Sequence, residues 1–341
     1  MKQFIREDLR GIIPYSSARD EFKGNAGSWL DANENASVTS WNRYPDPLQR
    51  TLKQTISELK TIPVENLFLG NGSDEVLDLL LRLTCTPFQD TIAFLDPSYG
   101  MYDVLARING LSTKRILLNE RFEVDWSQLS EEIAETRALI ICNPNNPTGN
   151  LFSQEAIGSV LRTYKGIVIV DEAYIDFSEQ ASMSELVNEF PNLVVVQTLS
   201  KAYGMAGLRI GMAIANIEWI AALNTIKPPY NLSSLVQETA VNLLQSTDWK
   251  SVIATIIAER NRLFDELSQQ KGVLEVFPSE ANFILFRVAD AIALYHSLAE
   301  AGVVVRNRSS QYNCAETLRV TIGTEAENTR FLTQLKQFYN D

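Results

Sequence analysis

The apolar residues of this chain change their period along its length, and the changes mark out its elements. From about residue 46, DPLQRTLKQTISELK and SDEVLDLLLRL space their apolar positions three and four apart. That spacing predicts helices with one buried stripe. Short unbroken runs rich in Val and Ile accompany them: NLFLG, TIAFLD, RALIICN, KGIVIVDE, LVVVQTLS and LRIGMAIA. Apolar runs without alternation predict strands buried on both faces, and their separation by helices predicts a mostly parallel sheet. After about residue 230 the pattern shifts. SSLVQETAVNLLQ and WKSVIATIIAERNRLFDELSQQ form a long helical stretch, followed by isolated strands NFILFRV, GVVVR and TLRVTIG and a closing helix, EAENTRFLTQLKQFY. The expected fold is α/β, with a large domain over residues 45–230 on a mostly parallel central sheet flanked by helices. Residues 231–341, with an N-terminal segment 1–44, are expected to form a smaller α+β domain.

Composition narrows the function. A length of 341 residues suits about two domains, and 45% hydrophobic with 21% charged residues is ordinary for a globular protein. The net charge is −12, from 30 Lys+Arg against 42 Asp+Glu. That field opposes nucleic acid and anionic membranes, so a phosphate-bearing ligand needs a local cationic site. Cys85, Cys142 and Cys314 are far apart and odd in number, without CxxC spacing. They argue for a reducing compartment and against a zinc site or disulfide frame. MKQFIREDLRGIIPY lacks the apolar centre of a signal peptide, and no apolar run reaches the ~18 residues of a spanning helix. A cytoplasmic protein is expected. The single histidine, His296, excludes a multi-histidine metal centre and leaves lysine as the next candidate for acid–base work.

In open α/β sheets, ligands bind at the carboxyl ends of the strands. LFLG runs into Asn71-Gly72-Ser73-Asp74 and a helix, whose first N–H groups can receive an anion. RALIIC ends in NPNNPTG (143–149), GIVIV in Asp171-Glu172-Ala173-Tyr174, and LVVVQT in Leu199-Ser200-Lys201. Arg209 follows eight residues later. Each feature has a plain structural reading. Lys201 could snorkel at a strand end, Ser73, Asp74 and Asp171 could cap helices, and NPNNPTG could be an inert turn. Together, however, one lysine, one acid, one phenol, one amide and an anion cradle share a single sheet edge. Pyridoxal-phosphate chemistry needs that set: a lysine for the aldehyde, a carboxylate for the ring nitrogen, and donors for the phosphate. A lysine of ordinary pKa ~10.4 is a poor nucleophile at neutral pH, and desolvation near Arg209 is expected to lower it.

NPNNPTG, DEAY and TLSKAYGMAGLRIG, in this order, resemble the fold-type I aminotransferases, and more closely the histidinol-phosphate aminotransferase branch. IPYSSAR, WLDANEN, NRYPDP, GNGSDE, DPSYGMY and VVVRNRSSQYNCAETLRVTIGT extend the resemblance from about residue 10 to the C-terminus. It implies a homodimer using pyridoxal 5′-phosphate, with Lys201 carrying the cofactor and Asp171 facing the ring nitrogen. Tyr174 and Asn146 would hold the ring hydroxyl, and Tyr99 would stack on the ring. Gly72, Ser73, Ser200 and Arg209 would bind the cofactor phosphate, joined by Tyr44 from the partner subunit. Tyr15, Asn33, Arg306 and Arg319 would line the substrate pocket, with Arg319 taking the α-carboxylate of the amino donor. Arg308 lies nearby, with its direction open. The implied reaction is amino transfer between L-histidinol phosphate and 2-oxoglutarate, with no metal.

The enzymatic rivals are an aromatic amino-acid aminotransferase and a threonine-phosphate decarboxylase. A non-catalytic regulator that binds the same cofactor is disfavoured, since the pattern begins with no DNA-binding segment ahead of it. A nucleotide-binding protein is weaker still, because neither GxGxxG nor a P-loop follows any strand.

Overall fold

The computed structural model describes residues 2–14, 21–22, 24, 28–36, 39 and 41–340. The large sheet has strands β1 (Leu67–Asn71), β2 (Thr91–Asp96), β3 (Ser112–Leu117), β4 (Ala138–Cys142), β5 (Ile167–Asp171), β6 (Leu193–Thr198) and β7 (Ile210–Ile214). Their spatial order is β1-β7-β6-β5-β4-β2-β3, and only β7 runs against the rest. Helices α1 (Arg50–Lys60), α2 (Ser73–Thr84), α3 (Met101–Ile108), α4 (Trp126–Glu132), α5 (Gln154–Thr163) and α6 (Ile217–Ile226) complete this part of the chain.

β4, β5, β6 and β7 are buried at every position, as their unbroken apolar runs predict. Alternate residues serve opposite faces. Leu139, Ile141, Val168 and Val170 join one core, while Ile140, Ile167, Ile169 and Val194 join the other. The sheet is therefore covered on both sides, and its free edge for chemistry is the row of carboxyl ends.

The rest of the chain supplies α7 (Ser234–Ser246), α8 (Trp249–Ser268), β8 (Val273–Val276), β9 (Phe283–Val288), α9 (Ala291–Glu300), β10 (Arg306–Asn307), β11 (Thr317–Thr321) and α10 (Glu325–Asn340). The four strands form an antiparallel sheet in the order β10-β11-β9-β8. Ile284, Phe286, Leu318 and Val320 pack with α8, α9 and α10. The opposite parity, Phe283 and Leu285, joins the core of the large sheet. Arg319 pairs across the ladder with Leu285 and so lies on the face turned toward the large sheet.

One expected strand is corrected. GVVVR is a strand only at Arg306–Asn307, and Val304 is 82% exposed. The backbone just before it closes α9 instead: Gly302 takes a left-handed φ of 74°, and the Val303 N–H bonds the Leu298 carbonyl at 2.8 Å. Strand pairing begins only after that turn is complete.

Candidate active site

The carboxyl ends of β1, β4, β5 and β6 meet at one cleft. Ser73, Tyr99, Asn146, Asp171, Tyr174, Ser200, Lys201 and Arg209 all line it. The NPNNPTG turn, with cis peptide bonds before Pro144 and Pro147, delivers Asn146 to the wall.

One end of the cleft is an anion cradle. α2 begins at Ser73, after Gly72, with no side-chain capping bond. By contrast, α5, α7, α8 and α9 are capped by the side chains of Ser153, Ser233, Asp248 and Asp290. Ser73 and Asp74 are thus not caps, and the leading N–H groups of α2 have no side-chain acceptor. Gly72 has a φ of 81°, and a Cβ there would fall 2.5 Å from Nη2 of Arg209. Glycine is what lets the guanidinium lie against the helix start. The nearest carboxylate to Arg209 is Asp74, 3.9 Å away, and Ser200 adds a hydroxyl 3.0 Å from that of Thr198.

The other end holds Asp171, only 3% exposed. Its Oδ2 accepts a 2.7 Å bond from the Tyr102 hydroxyl and its Oδ1 a 3.2 Å bond from the Ala173 N–H. Burial pushes its carboxyl up to about 6, against the pull of those donors. Among the described residues no cation forms an ion pair with it. Asn146 donates to the Tyr174 hydroxyl at 3.2 Å and accepts from Nη1 of Arg319. The Tyr99 ring stands edge-on to Tyr102, and its hydroxyl lies 3.4 Å from Asp74. Nζ of Lys201 sits 5.5 Å from the Tyr174 ring centre. Its pKa is lowered, first by burial and next by Arg319, with Arg209 the smaller influence. The depression expected from the sequence is present, but its main cationic source is the arginine from β11.

Pyridoxal phosphate fits these residues. A protonated ring nitrogen is the cation that buried Asp171 lacks, the cradle matches a phosphate, and Lys201 matches an aldehyde. Other expected residues lie elsewhere. Asn33 and Tyr44 line a separate cavity of about 560 Å³ with Trp41, Arg43 and Ser233, and the Tyr44 ring stacks on Tyr230 at 4.5 Å. Arg306 is exposed on β10, directly across the ladder from Arg319. Tyr15 lies outside the described residues. His296 is exposed on α9, away from Lys201. Sequence reasoning missed Tyr102; the three-residue spacing of the tyrosines in DPSYGMY is the signal that could have found it.

The sequence model of the aminotransferase class I and II family matches residues 19–335. With this fold, lysine and buried aspartate, the chain belongs to the class I and II aminotransferases, which are pyridoxal-phosphate enzymes. Within that class it falls among the histidinol-phosphate aminotransferases. It is 46% identical over 338 residues to the histidinol-phosphate aminotransferase of Parabacteroides distasonis, covering 98% of both chains. The crystal structure of the histidinol-phosphate aminotransferase from Clostridium acetobutylicum matches with a TM-score of 0.81 at 29% identity, over 88% of this chain and 91% of that one. The enzyme of that name from Sinorhizobium meliloti, in complex with pyridoxal-5′-phosphate, shares the fold with a TM-score of 0.79 at 20% identity, over 87% and 83%.

Tyr102→Phe should raise the pKa of Asp171 further, because it removes a donor to the ionised form. The acid limb of the kcat/KM profile is then expected at higher pH, with kcat reduced about tenfold, the worth of one charge-assisted bond. An unmoved profile would show that Tyr102 only fills space.

Proposed function

We propose that the protein transfers the amino group of L-glutamate to imidazole acetol phosphate, giving L-histidinol phosphate and 2-oxoglutarate, as a cytoplasmic homodimer. The observation that carries this reading is the junction of the Lys201 cleft with Arg319, which bonds Asn146 inside it and stands across the ladder from Arg306. An acidic protein has thus assembled local positive charge beside its reactive lysine. The large domain over 45–230 would carry the cofactor, and segments 1–44 and 231–341 would close the substrate side.

Bound pyridoxal phosphate supplies an electron sink that stabilises negative charge on the substrate carbon bearing nitrogen. Gly72, Ser73, Ser200 and Arg209 would grip its phosphate, and Tyr99 would cover the ring. Asn146 and Tyr174 would hold the ring hydroxyl. Asp171 would keep the ring nitrogen protonated, a role favoured by its burial without a cation. Lys201, with its lowered pKa, would accept the proton released from the substrate carbon that bears nitrogen. Arg319 would bind the carboxylate of glutamate, and Arg306, with Tyr15 and Asn33, the phosphorylated substrate. Tyr44 would serve the partner's cofactor phosphate, a role that its separation from Lys201 within one chain supports. The three buried free thiols suit a reducing cytoplasm. Among the described residues no helix is long and apolar enough to cross a membrane.

The test is kcat/KM for histidinol phosphate and for histidinol. Loss of two charge-assisted bonds, at roughly 1.5–3 kcal/mol each, predicts a preference of about 10²–10⁴ for the phosphorylated amine. Arg306→Ala should narrow it by harming that substrate alone. Equal use of histidinol, phenylalanine or tyrosine would overturn the substrate while leaving the transaminase. Carbon dioxide as product would overturn both.

A further inference from the structure

We propose that Arg308 is a substrate-binding residue, which with Arg306 and Arg319 grips the phosphate of the substrate. The inference rests on the substrate reading above and extends it to a residue with no assigned role.

Position comes first. The Arg308 N–H bonds the Thr317 carbonyl at 3.0 Å, which continues the β10–β11 pairing one step beyond Asn307. Arg308 is two residues from Arg306, and Arg306 faces Arg319 across the ladder. All three therefore project from the face that looks toward the large sheet. The following loop is fixed to that sheet: Gln311 donates to the Ser98 carbonyl at 3.1 Å, and Asn313 to the Leu118 carbonyl at 3.0 Å. Ser98 precedes Tyr99 of the cleft. The bonds that join the two sheets thus hold Arg308 on the side of the cleft where Arg319 and Tyr174 stand, in a hollow it shares with Arg306, Tyr295 and His296.

The second observation is what Arg308 lacks. Its Nε is buried without a hydrogen-bond partner, as is Nε of Arg319. None of the three arginines forms an ion pair among the described residues. Other arginines drawn into the protein are satisfied: buried Arg260 bonds the carbonyls of Phe177 and Ala281 and approaches Glu280, and half-buried Arg137 bonds those of Thr84 and Gln3. Burial and the other two arginines pull the Arg308 pKa down to about 10, with Tyr174 opposing them. Three converging cations without an acid are unfavourable in the free protein. A dianionic ligand removes the cost and uses the open donors. The guanidinium fork also matches the planar pairs of oxygens on a phosphate.

A structural arginine and a ligand-binding one make opposite demands on stability. In the holoenzyme, whose cofactor phosphate site is filled, Arg308→Gln should leave the ligand-free melting temperature unchanged or higher. It should lower kcat/KM for histidinol phosphate by roughly 10–100-fold and leave that for histidinol nearly unchanged. Inorganic phosphate, used as a competitive inhibitor, should bind the variant correspondingly less well. Arg308→Lys, which keeps the charge without the fork, should recover part of both effects. A lower melting temperature with an unaltered ratio between the two amines would overturn the proposal. If wild type does not distinguish the amines, the substrate reading fails by itself. Inhibition by phosphate then decides Arg308: a weaker effect on the variant supports an anion site, and an equal effect ends it.

Discussion

Lys201→Ala is expected to fold normally and to lose turnover by at least roughly 10⁴-fold. Proton transfer by a positioned side chain contributes about 10²–10⁴, and this lysine also provides the nucleophile. Folding should not suffer, because the ammonium is disfavoured by burial and by Arg319 rather than held by an ion pair. Borohydride reduction of the wild-type holoenzyme followed by peptide mapping should find the cofactor on Lys201. Label on another lysine would remove the assignment. The same variant tests the proposed dimer. Mixed with an inactive Tyr44→Phe protein, it should form heterodimers in which one site has an intact lysine and receives an intact Tyr44 from the other subunit. Part of the activity should return. No recovery despite demonstrated exchange of subunits would mean that each site is built from one chain, or that Tyr44 is dispensable.

The parts of this molecule legible in the sequence are those where burial is complete. β4 to β7 have no exposed face, so their apolar runs are unbroken and their boundaries fall close to the expected ones. β3, STKRIL, is a sheet edge with mostly exposed or half-buried positions, and β8, VLEV, is similarly open. With one apolar residue in two or fewer held inside, neither has a pattern strong enough to mark it. GVVVR errs in the other direction. Its composition is that of a strand, but backbone bonds that no side chain announces commit its first residues to ending α9.

The site follows the same logic. Lys201, Asp171, Tyr174 and Asn146 were legible because a parallel sheet collects ligands at its carboxyl ends, so position along the chain implied position in space. The open start of α2 was less clear, since a serine and an aspartate at a helix start read equally as caps; the missing capping bond decides it. The contact of Tyr102, and the role proposed for Arg308, depend on elements distant in the chain. Tyr102 reaches Asp171 across 69 residues. No local spacing encodes that meeting.

Asp171→Asn should separate function from stability. Turnover is expected to fall about a hundredfold or more, because an amide keeps the shape but cannot stabilise a protonated ring nitrogen, an effect commonly worth ~3 kcal/mol. The cofactor-free variant should meanwhile be more stable than cofactor-free wild type at neutral pH. The Asp171 carboxyl is raised from its usual range to about 6 in the folded protein. The folded state therefore holds that proton more tightly than the unfolded chain does. Its contribution to stability is fully present below about pH 4 and is lost as pH rises through about 6. Asparagine has no charge to bury at any pH, so its advantage should appear across that interval and level off above it, on the order of 1–3 kcal/mol. Glu172 is also pushed up, to about 7, but both proteins share it and its effect cancels in the difference. Denaturant melts of the two cofactor-free proteins at pH 4 and pH 8, beside kcat for the loaded ones, make the test. Wild-type turnover in the variant would leave Asp171 as no more than the acceptor for Tyr102 and the Ala173 N–H. Equal stability at both pH values would mean that its charge is solvated in solution, and the case for a cationic partner at that carboxylate would fall with it.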